Sequence, residues 1–249
     1  MNTNQWQWQD GMLTCELLSD WKHGFFTRSH APKLPSDLHN HLLPTGKAFR
    51  AKQVHGNHLV YANSMNIDDQ PLPEADGVWA TKDHHQANHS VWVCTADCVP
   101  VLIGDRQLGS VAAVHAGWRG TASGIVTKAI TTLCEQGSEL KNLRVALGPA
   151  ISGTVYQVSK EVAQQVTDTI NQPVGLLPDV HPEKVKLDLR QVQAQQLQEI
   201  GLPHENIAIA PYCTLQSEKI FFSYRRHFLN NPQPQPRVPQ VQWSGIAIA

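Results

Sequence analysis

A chain of 249 residues is long enough for one large domain or two small ones, either with a full hydrophobic core. Its 20 basic and 21 acidic side chains leave a net charge of -1 without a basic stripe, which argues against polymeric DNA or RNA as a substrate. Apolar runs such as Val99 to Ile103 fall far short of the roughly 20 residues of a membrane-spanning helix, and the start MNTNQWQWQDG carries no basic leader or apolar run, so a cytoplasmic protein is expected.

In chain order, His30 to Gly46, with its prolines and histidines, reads as a loop. Val91 to Thr95, Val99 to Ile103 and Ser110 to His115 read as strands. The period then changes: Ala122, Ile125, Val126, Ala129, Ile130 and Leu133 draw one apolar stripe on a helix running from Thr121 to near Gly137. Leu143 to Leu147 is a further strand and Ser159 to Ile170 a second helix. A third helix starts at Asp188, whose side chain can cap the backbone while Gln191 reciprocates, with Leu189, Val192, Leu197 and Ile200 on one face. Its glutamine run QVQAQQLQ reads as solvated surface. Ile207 to Ala210, Ile220 to Ser223 and Ile246 to Ala249 read as strands, and Asn230 to Gln240, with four prolines, as a loop. Most of the 13 histidines, among them His39, His41, His84, His85 and His89, stand in polar stretches where solvated loop residues are expected. Strands interleaved with helices predict an α/β or α+β fold. No shift in composition and no repeat divides it, so a single domain over residues 1–249 is expected, with 230–240 a proline-rich loop inside it.

Five scattered cysteines in a chain of this size suggest free thiols or metal ligands, not disulfide staples. Three phrases place a ligand type beside tight turns, two of them containing glycine: Gln53-Val54-His55-Gly56, Thr95-Ala96-Asp97-Cys98 and His115-Ala116-Gly117-Trp118-Arg119-Gly120. Their spacing is too long for a zinc finger, so a site built from them is tertiary. Two imidazoles and a thiolate suit zinc and leave a fourth position for water. The same residues read equally as a small buried thiol and two satisfied core histidines. Cys94-x3-Cys98 also has a ligand spacing, but Cys94 belongs to an alternating apolar run and is read as core, and Cys15, Cys134 and Cys213 as buried thiols. After His115, a strand-to-helix turn sets Arg119 beside the candidate metal, a place for phosphate or carboxylate, or else a surface ion pair. Phe221-Phe222-Ser223-Tyr224-Arg225-Arg226 and His23-Gly24-Phe25-Phe26-Thr27-Arg28 join aromatic rings to guanidinium groups that can clamp phosphate, stack on a purine or simply snorkel.

Taken in order, these phrases, with Ala75-Asp76-Gly77, Leu147-Gly148-Pro149, Tyr156-Gln157-Val158 and Cys213-Thr214, resemble the YfiH-like proteins, also called the laccase-domain or multicopper polyphenol oxidase family. The resemblance implies a single layered domain with a mixed β-sheet core flanked by helices. It implies zinc, with copper as the alternative, on His55, Cys98 and His115, which would be the catalytic residues. The expected activities are phosphorolysis of adenosine, inosine, guanosine and methylthioadenosine and hydrolytic deamination of adenosine. Arg119, Arg28, Tyr224 and Arg225 are the candidates for holding phosphate and nucleoside. The expected partners are these small molecules, with no nucleic acid and no membrane, and the oligomeric state is left open. The chain departs from the family over Ser29 to Leu43 and at Gln157, where an acidic residue is usual. Two other readings stand beside this one. A peptidoglycan-precursor editing hydrolase would use the same metal site, and a copper phenol oxidase would need paired histidines, a form found only at His39-x-His41.

Overall fold

The computed structural model describes residues 5–65, 70–82, 88–230 and 240–248. Along the chain run β1 (Trp6–Gln9), β2 (Met12–Cys15), β3 (His23–Phe25), α1 (Pro35–Leu42), β4 (Lys47–Arg50), β5 (Leu59–Tyr61), β6 (Gly77–Ala80), β7 (His89–Thr95), β8 (Val99–Asp105), β9 (Val111–Ala116), α2 (Trp118–Ala122) and α3 (Ile125–Glu135). They are followed by β10 (Leu143–Leu147), β11 (Gln157–Ser159), α4 (Lys160–Thr167), β12 (Leu176–Pro178), β13 (Lys184–Leu187), α5 (Leu189–Glu199), β14 (Ile207–Ile209), α6 (Tyr224–Asn230) and β15 (Gln242–Ile248). One six-stranded sheet has the order β1-β2-β3-β15-β7-β4 and the other β14-β10-β8-β9-β6-β5, with a small sheet β11-β13-β12 beside them. Both large sheets are mixed. The first carries parallel β4 at its edge, and the second carries parallel β14 and β5 at its two edges.

The continuous apolar runs of β8, β9 and β10 follow from burial on both faces. Val99, Val101 and Ile103 turn to the stripe Ile125, Val126, Ala129, Ile130 and Leu133 of α3 and to Leu189, Val192 and Leu197 of α5. Alternate residues Leu102, Val111 and Ala113 turn the other way, onto Val91, Val93, Ile246 and Ile248 of the first sheet. That sheet in turn sends Trp92, Trp243 and Ala247 onto Leu38 and Leu42 of α1. The layers are therefore helix, sheet, sheet, helices, the layered mixed-sheet fold expected from the sequence.

Several local expectations are corrected. The helix expected from Thr121 starts earlier, at Trp118, and Gly124, left-handed at φ +71, divides it into α2 and α3. His30 to Gly46 is not all loop. Leu38 and Leu42, spaced by four, bury one face of α1, and Asp37 Oδ2 accepts from the Leu34 N–H at its start. Ile220 to Ser223 is no strand, because Phe222 exchanges both of its main-chain bonds with the Gln242 side chain and not with a neighbouring strand. Asp188 does cap α5 through the Arg190 N–H, but its own N–H is taken by the Gly175 carbonyl and not by Gln191. The glutamine face of α5 is partly core. Gln193 Nε2 donates to the Ala116 carbonyl and to Thr121 Oγ1, and Gln196 Nε2 to the Thr121 carbonyl and to Thr169 Oγ1. Among the histidines expected in solvent, His39 and His89 are buried, His39 against Ser90 Oγ. His84, His85, residues 231–239 of the proline-rich loop and residue 249 lie outside the described residues.

Candidate metal centre

The parity of β9 sends His115 to the same side as Val111 and Ala113, between the two sheets and near the strand's end. Beside it, just before β6, stands Asp76, which is fully buried. The His115 N–H donates to the Asp76 carbonyl at 2.7 Å and His115 Nδ1 to Asp76 Oδ1 at 2.8 Å. A carboxylate accepting at Nδ1 keeps a proton on that nitrogen and leaves Nε2 as the nitrogen that gives up its proton to offer a metal a lone pair. The same carboxylate collects the next ligand loop: Oδ1 accepts the His55 N–H at 2.9 Å, and Oδ2 those of Gly56 at 2.7 Å and Val54 at 3.2 Å. These bonds hold His55 in the left-handed region at φ +61.

Cys98 arrives by a third route. Ala96, Asp97 and Cys98 form the short connection by which the chain leaves β7 in one sheet and enters β8 in the other. Gly117 lets β9 run close to it, since a Cβ there would stand 2.8 Å from Cys98 Sγ. The result is that one ligand atom each of His55, Cys98 and His115 lies within 4.8 Å of the others, with the imidazole planes at 88°. His55 is exposed, Cys98 half-buried and His115 buried, so the cluster opens to one side. Among the described residues this is the one grouping of three or more His, Cys, Asp or Glu side chains within such reach.

Burial opposes ionisation of the Cys98 thiol, but the charge and hydrogen bonds of His115, aided by His55, outweigh it and bring the thiol down to about 7. Burial likewise opposes the imidazolium of His115, yet Cys98 and Asp76 push it up to about 9. Cys94, four residues away, goes the other way: burial raises its thiol to about 11. It takes no part in the cluster, and the Gln53 side chain brackets its main chain, donating to its carbonyl and accepting from its N–H, both at 2.8 Å. In metal-free protein at pH 8, Cys98 is therefore thiolate and Cys94 is not. Alkylation by iodoacetamide, followed by mass spectrometry from pH 5 to 9, should label Cys98 with a midpoint near pH 7, losing reactivity as the pH falls below it. Labelling of Cys94 first would contradict this assignment.

The structure sorts the other sequence-derived candidates into two groups. Arg119 is exposed in the first turn of α2, its guanidinium 4.3 Å from the Trp118 ring. Arg225 lies 5.3 Å from the ring of Tyr156 and donates through Nη2 to the Gln157 carbonyl at 3.1 Å. The Tyr156 phenol, pushed up to about 12 by burial and by Cys98 and drawn back by Arg225 and Arg119, ties these groups electrostatically to the cluster. Arg28 and Tyr224 instead line a cleft with Glu218, Phe222, Arg226 and His227, and none of the three ligands borders it. Arg28 is engaged there, donating to the Glu218 carbonyl and covering the Phe222 ring. Sequence reasoning assigned no role to Asp76, Asp97 or Tyr156. Their only signal was membership in Ala75-Asp76-Gly77, Thr95-Ala96-Asp97-Cys98 and Tyr156-Gln157-Val158.

A family model described as multi-copper polyphenol oxidoreductase laccase matches residues 36–230, which include His55, Cys98 and His115. The chain belongs to this YfiH/laccase-like family. It is 45% identical to a purine nucleoside phosphorylase of Synechocystis sp., over 99% of this chain and 98% of that one. It is 34% identical to a protein named adenosine deaminase, from a prokaryote of unknown identity, over 68% of this chain and 64% of that one. Among solved structures, YfiH of Bacillus licheniformis superposes with a TM-score of 0.79 at 23% identity, covering 99% of this chain and 100% of that one. YlmD of Geobacillus stearothermophilus gives 0.77 at 22%, covering 98% of both. The YfiH-like fold expected from the sequence is the fold observed.

Proposed function

We propose that this family member is a zinc-dependent purine nucleoside phosphorylase that also deaminates adenosine, working as one domain in the cytoplasm on nucleoside and phosphate. The observation that carries this reading is the convergence of His55, Cys98 and His115, beside which Arg225 lies over Tyr156, a phenol that feels the charge of Cys98. Two nitrogens and one sulfur, the buried nitrogen oriented by Asp76, are a donor set that fits zinc. Bound there, zinc would supply Lewis acidity and lower the pKa of a water to near 7.

The chain's own residues do the rest. Arg225 and Arg119 offer guanidinium forks to a phosphate dianion, which attacks the ribose C1′ as the bond to the purine nitrogen breaks, giving ribose 1-phosphate and free base. Tyr156 holds the Arg225 guanidinium over its ring, steadying that fork for the phosphate. Asp76 keeps the proton on His115 Nδ1 throughout, so that Nε2 stays a ligand. Deamination adds the oxygen of water at the adenine C6 and expels the amino group as ammonia, giving inosine, and needs no phosphate. It is favoured as a second activity by the relative named adenosine deaminase.

Pure protein incubated with adenosine and phosphate should yield adenine and ribose 1-phosphate, and inosine without phosphate, by chromatography. Arg225→Ala should raise the KM for phosphate about tenfold or more, the worth of a charged hydrogen bond of roughly 1.5–3 kcal/mol. Arg119→Lys keeps the charge but loses the fork, and should impair phosphorolysis more than deamination, at unchanged zinc content. Product formation indifferent to phosphate, or copper in place of zinc on metal analysis, would reject this reading.

A further inference from the structure

Asp97 precedes the Cys98 ligand, is 8% exposed, and holds φ at +90, a left-handed conformation that a non-glycine residue keeps only when its surroundings enforce it. Its side chain makes the enforcing contacts. Oδ1 accepts from Thr214 Oγ1 at 2.6 Å, and Oδ2 accepts from Ser223 Oγ at 2.9 Å and from the Arg225 N–H at 2.7 Å. Its main-chain oxygen accepts the Ile151 N–H at 3.0 Å. The side-chain partners stand 117 to 128 residues downstream, in the segment that ends at the start of α6. Ser223 Oγ extends the network by accepting the Arg226 N–H at 3.1 Å. One buried carboxylate therefore joins the loop of a metal ligand to the residue whose guanidinium covers Tyr156.

We propose that Asp97 is a positioning residue that sets Arg225 at a fixed place relative to Cys98, so that a substrate anion held by Arg225 meets the metal centre in register. This rests on the phosphorylase reading above. Three donors, two hydroxyls and one N–H, converge on two oxygens, and a carboxylate, which only accepts, satisfies all of them. An asparagine turns an NH2 group toward at least one of those donors. A role confined to the fold would not single out phosphate.

The experiment is a double-mutant cycle of Asp97→Asn with Arg225→Ala in the zinc-loaded protein, read by the KM for phosphate, kcat, zinc content and amide hydrogen exchange at residues 225 and 226. Asp97→Asn should speed that exchange about tenfold or more and raise the KM for phosphate about tenfold, with a smaller effect on kcat and unchanged zinc. In the Arg225→Ala background the same change should raise KM by less than about twofold. An equal penalty in both backgrounds, loss of zinc, or unaltered exchange would overturn the proposal. If Asp97→Asn does not fold, Ser223→Ala removes one bond of the same network and enters the cycle in its place. Wild-type protein that carries out no phosphorolysis, or an Arg225→Ala variant with unchanged KM, rejects the phosphorylase reading and this proposal with it. Exchange of the Arg225 amide, which needs no substrate, separates that result from a failure of the Asp97 tie itself.

Discussion

Replacing Cys98 with alanine is expected to empty the metal centre and to abolish phosphorolysis and deamination together. A zinc site is worth about 10–16 kcal/mol when four ligands hold it, so one thiolate carries roughly 3–4 kcal/mol, a factor of about 100 to 1,000 in affinity. Of the three ligands Cys98 is also the one whose ionisation the site already favours, since His115 and His55 lower its pKa against the opposition of burial. The two imidazoles left behind have no anion between them. Purified Cys98→Ala protein should contain less than about a tenth of a zinc per chain, with activity down by about a thousandfold. Cys94→Ala is the matched control, because Cys94 lies four residues away, outside the cluster, with a thiol protonated through neutral pH. It should keep its zinc and its activity. Activity retained in Cys98→Ala would move the chemistry elsewhere in the molecule.

Asp76→Asn should have the next largest effect, although Asp76 is not itself one of the three ligands. The carboxylate accepts four hydrogen bonds, three from the main chain of residues 54–56 and one from His115 Nδ1. An asparagine retains one accepting oxygen and directs an NH2 group at either the 54–56 loop or the imidazole N–H. Each buried donor left facing a donor costs about 1–3 kcal/mol, and loss of such an outer partner typically weakens a metal site by 10- to 100-fold, so zinc affinity should fall by about that factor in competition with a chelator. A pH signature accompanies it. Burial opposes the Asp76 charge, but His115 and the N–H groups of Gly56 and Val54 outweigh it and hold the carboxyl below its ordinary value. A carboxyl lowered on folding stabilises the protein above its unfolded pKa of about 3.9, and that contribution disappears as the pH falls through the still lower folded value. Wild-type melting temperature should thus carry the full contribution from pH 5 upward, and the Asn variant should lack it throughout. Equal melting temperatures and equal zinc affinities at pH 7 would show that Asp76 does not organise the site.

The sequence alone determined the parts of this protein that depend on short-range pattern. Short continuous apolar runs made Val99 to Ile103 and Ser110 to His115 strands, because both of their faces are buried, and the 3.6-residue stripe from Ile125 to Leu133 made a helix, because one face of it is. The ordered phrases around His55, Cys98 and His115 identified the family and nominated the triad, and one glycine among them, Gly117, is required by close approach, since a Cβ there would stand 2.8 Å from Cys98 Sγ. What only the tertiary structure decided was the fate of polar groups. Gln193 and Gln196 read as solvated because amides usually are, but α5 lies against α2 and presents them to Thr121 and Ala116, from segments more than 70 residues away. Arg225 lies over Tyr156, whose phenol feels the charges of Cys98, Arg225 and Arg119, while Arg28 is engaged in a separate cleft, although all three stand in equally aromatic or glycine-rich phrases. Asp76 and Asp97 are indistinguishable in sequence from ordinary turn aspartates. Their importance comes from donors that distant strands and helices bring to them, and the pairing of a buried carboxylate with donors far along the chain leaves no local period to be read.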